Sequence, residues 1–207
     1  PPRFAQKLIV LFLVIAAGTI FRLPYLGPRF LSDEAYWSAG ANKMTHGAIL
    51  YQEVVDNKPP LTLVTYFLLF KTFGAGNITA VHLFGLLWFF LTLIASFLLV
   101  TQAYGKHIAL LGVVIYALHS TAFYPEVCLA VKPEFLLLLP LVVAWLAVTH
   151  GTKKSSLLCY SFAGVLFGIS LLYKQTALFL YPAFFLYIMR FSQKRRAAIW
   201  AMTAAML

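Results

Sequence analysis

Two adjacent acids, Asp33 and Glu34, follow the first long apolar run, and the chain of 207 residues holds only six Asp and Glu residues in all. A carboxylate that is held in a fixed direction is suited to acid–base chemistry. The same pair would also stabilise a helix start, with Ser32 as the N-cap and both acids in the first turn, where the helix dipole favours negative charge. In this interpretation the helix continues with Tyr36 and Trp37 as aromatic residues at the membrane interface. The two interpretations are compatible, and the stretch alone leaves both open.

A lysine stands directly before a Pro-Pro step in the stretch VVDNKPP, residues 54–60. Because proline restricts the backbone, the step would hold Lys58 in a defined place, where its ammonium group offers a cation to a phosphate. The alternative is a polar turn that is closed by a helix starting at the prolines, where the missing N–H costs little. Both interpretations remain open at this point.

Two further charged residues border apolar runs. Glu134 directly precedes FLLLLPLVVAW, and a charge at a helix centre costs about 2.5–3.5 kcal/mol on membrane-insertion scales, so we expect it to have a partner. Lys132 is the nearest candidate in the sequence. Lys174 lies between two apolar runs, where it is either part of a polar site or a snorkelling lysine at a helix end.

Other residues that often bind metals or mark helix contacts give weaker signals. The five histidines, and the two cysteines Cys128 and Cys159, show no spacing typical of metal ligands. Gly164 and Gly168 form a GxxxG pattern, which predicts close packing of two helices.

The composition identifies the class of protein. The mean hydropathy is +0.86 and 11% of the residues are charged, whereas about a quarter are charged in soluble domains. The chain is therefore predicted to be an all-α, polytopic membrane protein. Its net charge of +10 comes from short basic clusters between apolar runs, as in cytoplasmic loops, and this distribution argues against a nucleic-acid partner.

The apolar runs set the expected organisation of the chain. They predict spans near residues 4–25, 78–101, 107–124, 134–150, 155–174 and 175–189, with a truncated seventh that begins near 197. Pro60 to Phe70 is free of charge for only eleven residues, or about 16 Å of helix, against a hydrocarbon core of about 30 Å. Residues 26–77 are therefore predicted to form an extracytoplasmic loop with interfacial helices, one at 35–45 and one within 58–74, and residues 78–207 to hold the further spans.

The distribution of Lys and Arg sets the expected orientation. If 58–74 does not span, one side of the membrane receives nine basic residues and no acid: Arg3, Lys7, Lys106, Lys153, Lys154, Arg190, Lys194, Arg195 and Arg196. That side is predicted to be cytoplasmic, together with the amino terminus. All six acids then face the extracytoplasmic side.

Four stretches in this order carry a resemblance to a known family. Asp33-Glu34-Ala35, Lys58-Pro59-Pro60-Leu61, Pro133-Glu134 and the stretch YKQTAL at 173–178 resemble landmarks of the GT-C membrane glycosyltransferases. The nearest branch contains the protein O-mannosyltransferases and the lipid A aminoarabinose transferase. Pro133-Glu134 stands where that family typically has Pro-Asp. The resemblance covers nearly the whole chain. Residues 1–207 correspond to the amino-terminal half of a typical member.

The resemblance implies a function and residue roles. Such enzymes move a sugar from a polyprenyl phosphate in the bilayer to a lipid or protein acceptor outside the cytoplasm, without a nucleotide cofactor. Whether a divalent metal takes part stays open. It implies that Asp33 is the base, with Glu34 as its orienter or a second acid, and that Lys58 contacts the phosphate. Lys174 and Arg22 are further candidates for phosphate binding, and Glu134 is expected to position the sugar or Lys132. The alternative is a non-enzymatic or degenerate subunit that packs in a larger membrane complex.

Overall fold

The computed structural model describes residues 16, 18–20, 22–26, 33–120 and 130–206. Most of the predicted first span, as well as Ser32, Glu126 and Cys128, lies outside these residues. The described part is all-α, as predicted. Residues 16 and 18–20 are helical, and the described residues after them form nine α-helices: α1 Asp33–Thr45, α2 Leu61–Phe73, α3 Ile78–Tyr104, α4 Lys106–His119, α5 Pro133–Leu136, α6 Leu138–Lys154, α7 Leu157–Tyr173, α8 Tyr181–Phe191 and α9 Arg195–Met206. Two short 3₁₀ helices lie at Leu23–Tyr25 and Gln175–Leu180.

Helix α1 packs on α2 through one buried face. Its buried residues recur at helical spacing: Glu34, Trp37, Ser38, Gly40 and Ala41. A Cβ atom added to Gly40 would lie 2.9 Å from side-chain atoms of both Leu63 and Val54, so a larger residue here would have to displace these two buried side chains. Trp37, which we expected at the membrane interface, is instead buried in the core beside Tyr66.

Helix α2 confirms the predicted short helix between the Pro-Pro step and Gly74. Pro60 is its N-cap, and Gly74 ends it with a φ of 101°, a conformation that glycine adopts without strain. Its 13 residues span about 20 Å, less than the hydrocarbon core of a bilayer. That α2 does not cross the membrane remains a prediction.

Two helical segments of the described residues are long and apolar enough to cross a membrane, Ile78–Tyr104 and Pro133–Lys154. They run in the same direction. Leu136, near the amino-terminal end of the second segment, accepts from Trp88 in the first half of the other at 3.1 Å. Thr149 donates to Gln102 at 3.3 Å near the carboxy-terminal ends of both segments. Helices α2, α4 and α7 are shorter apolar helices, so a total of six or seven spans stays a prediction.

Helix α7 is held between α6 and α9. A Cβ atom on Gly164 would lie 2.9 Å from the carbonyl carbon of Met202, and one on Gly168 would lie 2.7 Å from the carbonyl oxygen of Met206. The GxxxG pattern thus marks a close helix contact, as predicted. Because α7 ends at Tyr173, this contact fixes the position of Lys174.

The outer surface of the bundle is apolar. Along α3, exposed side chains recur every three or four residues at Leu83, Leu87, Leu91, Ile94 and Leu98. Soluble monomers rarely expose so long an apolar stripe. The stripe fits a helix whose outer face contacts lipid.

Candidate functional site

The two acids of the pair have opposite environments. Glu34 is buried, with 3% of its surface exposed, and its Oε1 accepts the backbone N–H of Val131 at 2.8 Å. Asp33 is exposed at the first residue of α1. Within the described part of the chain, the Asp33 carboxylate has no hydrogen bond or ion pair.

Two further side chains surround the Glu34 carboxylate. The hydroxyl of Tyr66 lies 3.3 Å from Glu34 Oε1 and 3.1 Å from the carbonyl oxygen of Val131. Nε2 of His82 lies 3.7 Å from Glu34 Oε2, and Nδ1 of the same ring lies 3.1 Å from the carbonyl oxygen of Leu26. Sequence reasoning missed Tyr66 and His82. A signal for His82 was present, because an ionisable residue within a membrane span commonly has a specific partner.

Lys58 lies beside the same elements with its side chain exposed. Its Nζ stands 4.7 Å from the centre of the Trp37 ring, a cation–π distance. Its backbone is held on both sides: its N–H donates to Asp56 Oδ1 at 3.1 Å, and its carbonyl oxygen accepts from the Tyr51 hydroxyl at 2.8 Å. Burial and the nearby Asp56 carboxylate raise the pKa of Tyr51, so this hydroxyl remains a donor.

Glu134 forms an ion pair with Lys174. The expectation that Lys132 would be its partner is wrong. Lys132 is the N-cap residue of α5 and has an extended backbone (ψ 157°). Lys174 instead directly follows the last residue of α7. Lys58 also interacts electrostatically with Glu134. The pair is partly exposed, with 33% of the Lys174 side chain and 58% of the Glu134 side chain accessible.

Contacts of Tyr173 tie this ion pair to the other elements. Its hydroxyl lies 3.2 Å from that of Thr65 in α2, and its ring lies edge-on to Trp88 in α3, with 6.3 Å between ring centres. Glu34, Lys58, Glu134 and Lys174 therefore belong to elements that meet at one end of the bundle.

Arg22 occupies a different place. It is 1% exposed, and its guanidinium donates to the carbonyl oxygen of Gly18 and to Ser120 at 2.9–3.0 Å. The same group stacks over the ring of Phe89 at 3.8 Å. These contacts join the segment after residue 16 to α3 and to the end of α4, so the structure gives Arg22 a role in packing.

The opposite end of the bundle brings basic loops together. Lys153 reaches Gln102 at 3.5 Å, and Ser155 reaches Gln193 at 3.4 Å. Lys106, Lys154 and Lys194 lie in or beside the same connections. Acids and basic loops thus separate to the two ends of the helices.

An apolar groove begins beside the candidate site. It lies between α3, α6 and α7 and has a volume of about 480 Å³. Its lining is almost entirely apolar: Trp88, Leu91, Ile94, Ala95, Leu98, Leu139, Pro140, Val143, Leu146, Leu166 and Ile169. Trp88 contacts both Tyr173 and Leu136, so the groove starts next to the Glu134–Lys174 pair.

Among the described residues, no group of three or more His, Cys, Asp or Glu side chains is placed to hold a metal ion. The family model of the dolichyl-phosphate-mannose-protein mannosyltransferases matches residues 57–207. The match includes Lys58, Glu134 and Lys174 and begins after the acid pair. No curated protein and no solved structure matches the chain at a significant level.

Proposed function

Because the chain belongs to the dolichyl-phosphate-mannose-protein mannosyltransferase family, a family of membrane glycosyltransferases, we propose that it transfers a sugar from a polyprenyl-phosphate donor to an acceptor outside the cytoplasm. One observation carries the proposal. The acid pair, Lys58 and the Glu134–Lys174 pair lie on elements that meet at one end of an apolar bundle. Transfer of a sugar from a lipid phosphate needs a base for the acceptor hydroxyl and cations for the departing phosphate, and this end offers both.

Asp33 is the proposed base that takes the proton from the acceptor hydroxyl. Its carboxylate is exposed and has no partner among the described residues, so it is free to accept a proton. The neighbouring Glu34 is anchored to Val131, which fixes the direction of α1. A base positioned in this way typically contributes 10²–10⁴-fold to the rate.

Lys58 and Lys174 are the proposed contacts of the donor phosphate. Negative charge develops on that phosphate as the sugar leaves, and fixed cations stabilise it best where water is restricted. Glu134 holds Lys174 in place and is the proposed contact for the sugar hydroxyls. Lys132, which has no carboxylate partner among the described residues, is a further candidate for the phosphate.

The apolar groove is the proposed place of the polyprenyl chain. It starts beside Tyr173, directly before Lys174, and follows α3, α6 and α7 along the bundle. If the donor phosphate lies at Lys174, the polyprenyl chain attached to it can therefore enter the groove without crossing a polar surface. In this arrangement the amino terminus and the basic loops face the cytoplasm, as the distribution of Lys and Arg favours.

The test is a turnover assay with purified protein, a radiolabelled polyprenyl-phosphate sugar and acceptor, together with a donor-binding measurement. Asp33→Asn keeps the size of the side chain but cannot accept the proton, so turnover should fall about 10²-fold or more while donor binding stays nearly intact. Lys58→Ala should weaken donor binding as well as slow turnover, because the phosphate is charged in both the ground and transition states.

Glu53→Gln is the matched control, since Glu53 is an exposed acid of the same loop that only caps the N–H of Ile49 at 2.8 Å. It should leave both turnover and donor binding at the wild-type level. A wild-type protein that binds no donor and turns none over would favour the alternative, a non-enzymatic subunit of a membrane complex. An Asp33→Asn enzyme with full turnover would remove Asp33 as the base.

A further inference from the structure

We infer that Tyr66 and His82 are positioning residues, which lock the acid pair of α1 to the segment that carries Glu134. For the role of Asp33 the inference rests on the proposed function. The lock itself is a set of contacts around Glu34 that joins α1, α2, α3 and the segment before α5. Every member is buried: Val131 and Tyr66 are 0% exposed, Glu34 3% and His82 4%.

The Glu34 carboxylate is divided between its partners. Oε1 meets the Val131 N–H at 2.8 Å and the Tyr66 hydroxyl at 3.3 Å, and Oε2 faces His82 at 3.7 Å. These partners come from three places in the sequence that lie 32 to 97 residues away. A buried carboxylate with partners facing both of its oxygens is held in one orientation, and losing those partners would be costly.

The ring of His82 connects the Glu34 carboxylate to the backbone at Leu26. Nδ1 faces the carbonyl oxygen of Leu26 at 3.1 Å, and a carbonyl oxygen only accepts, so Nδ1 carries hydrogen. Nε2, the other ring nitrogen, lies 3.7 Å from Glu34 Oε2. Through these two contacts, His82 in α3 links α1 to the segment that holds Leu26.

The contacts around Glu34 fix the geometry of both parts of the proposed site, the Asp33 carboxylate and the Glu134–Lys174 pair. Glu34 adjoins Asp33, so fixing its side chain fixes the rotation of α1 about its axis and with it the direction of the Asp33 carboxylate. Val131 lies three residues before Glu134, so the same contacts hold the segment that forms the ion pair with Lys174. Misplacing a reacting group by about 1 Å can cost about 10²-fold in rate.

The first test separates positioning from general structural support. Glu34→Ala and His82→Ala each remove one member of the contact, and each should lower kcat about tenfold or more while the KM for the donor changes less than about twofold. Because both residues act through the same set of contacts, the kcat of the double variant should be higher than the product of the two single effects predicts. Strictly additive losses, or losses that fall on KM, would contradict the inference.

The second test does not depend on activity. Hydrogen exchange of the Val131 amide, measured by mass spectrometry on the full chain, should be about tenfold or more faster in Glu34→Ala, because its acceptor is lost. In Glu34→Gln the amide oxygen still accepts, so exchange should stay close to wild type. Asp33→Asn, the adjacent matched control, should not change it.

The two tests distinguish the failure of each idea. If exchange at Val131 responds as expected but the wild-type protein transfers no sugar, the lock stands and the proposed function is wrong. If the wild-type enzyme is active while exchange at Val131 is unchanged in Glu34→Ala, the lock is wrong and the proposed function stands.

Discussion

The contact between α7 and α9 predicts opposite effects for the same substitution at two helical glycines. Gly164 faces α9 so closely that an added Cβ would lie 2.9 Å from the Met202 carbonyl carbon and 3.1 Å from the Ala205 Cβ. An added Cβ at Gly112 in α4 would have nothing within 4 Å. Gly164→Ala and Gly112→Ala therefore make a matched pair, one at a contact and one in open space.

The expected magnitudes follow from these distances. Carbon atoms pack best about 3.5–4.0 Å apart, and the Met202 carbonyl oxygen lies even closer to the added Cβ than its carbon does. Gly164→Ala must therefore push the two helices apart by about 1 Å or more against rigid backbone. Overpacking of this kind costs about 1–3 kcal/mol. Gly112→Ala meets no obstacle and should gain about 0.5–1 kcal/mol, because alanine loses less backbone entropy in a helix.

The assay is thermal unfolding of the purified protein in one detergent, followed by the loss of soluble, monodisperse protein. At about 2–4 °C per kcal/mol for a chain of this size, Gly164→Ala should lower the Tm by about 2–12 °C and Gly112→Ala should raise it by about 1–4 °C. Because α7 positions Lys174, Gly164→Ala should also weaken donor binding at temperatures where the protein is folded. Equal Tm values for the two variants would show that α7 and α9 do not pack as described.

Two further predictions concern charge and topology. Lys174→Met should raise the KM for the donor and change the stability by no more than about 1 kcal/mol, because its ion pair is partly exposed; the same change at Lys153, at the opposite end, should affect neither quantity. Cysteines placed at Gly105 and Thr152 should both react with membrane-impermeant reagents only from the cytoplasmic side, and labelling of either from outside would overturn the proposed orientation.

Local sequence signals were sufficient for several helices. The prolines and Gly74 set the start and the end of α2, because their backbone preferences act within a few residues and do not depend on the rest of the chain. The GxxxG of Gly164 and Gly168 identified a contact surface without identifying α9 as its partner. Such signals are strong where the physical cause is local.

The sequence did not indicate which distant residues contact each other. Lys132 is two residues from Glu134, yet the extended backbone at Lys132 and the return of α7 give the ion pair to Lys174, which is 40 residues away. Trp37 was expected at the interface because tryptophan is common there, but the close approach of α1 and α2 at Gly40 buries it. Both outcomes depend on how helices pack, which a single sequence does not specify.

The three acids near the proposed site differ in the partners that their carboxylates already have. Glu34 is buried and both of its oxygens face partners, so it cannot approach a substrate hydroxyl without breaking the packing of four segments. Glu134 has its carboxylate paired with Lys174, and a proton transferred to it would weaken that pair. Asp33 alone, among these three, has a carboxylate with no partner in the described part of the chain. We therefore propose Asp33 for the role of base, with Glu34 as its orienter rather than as a second acid.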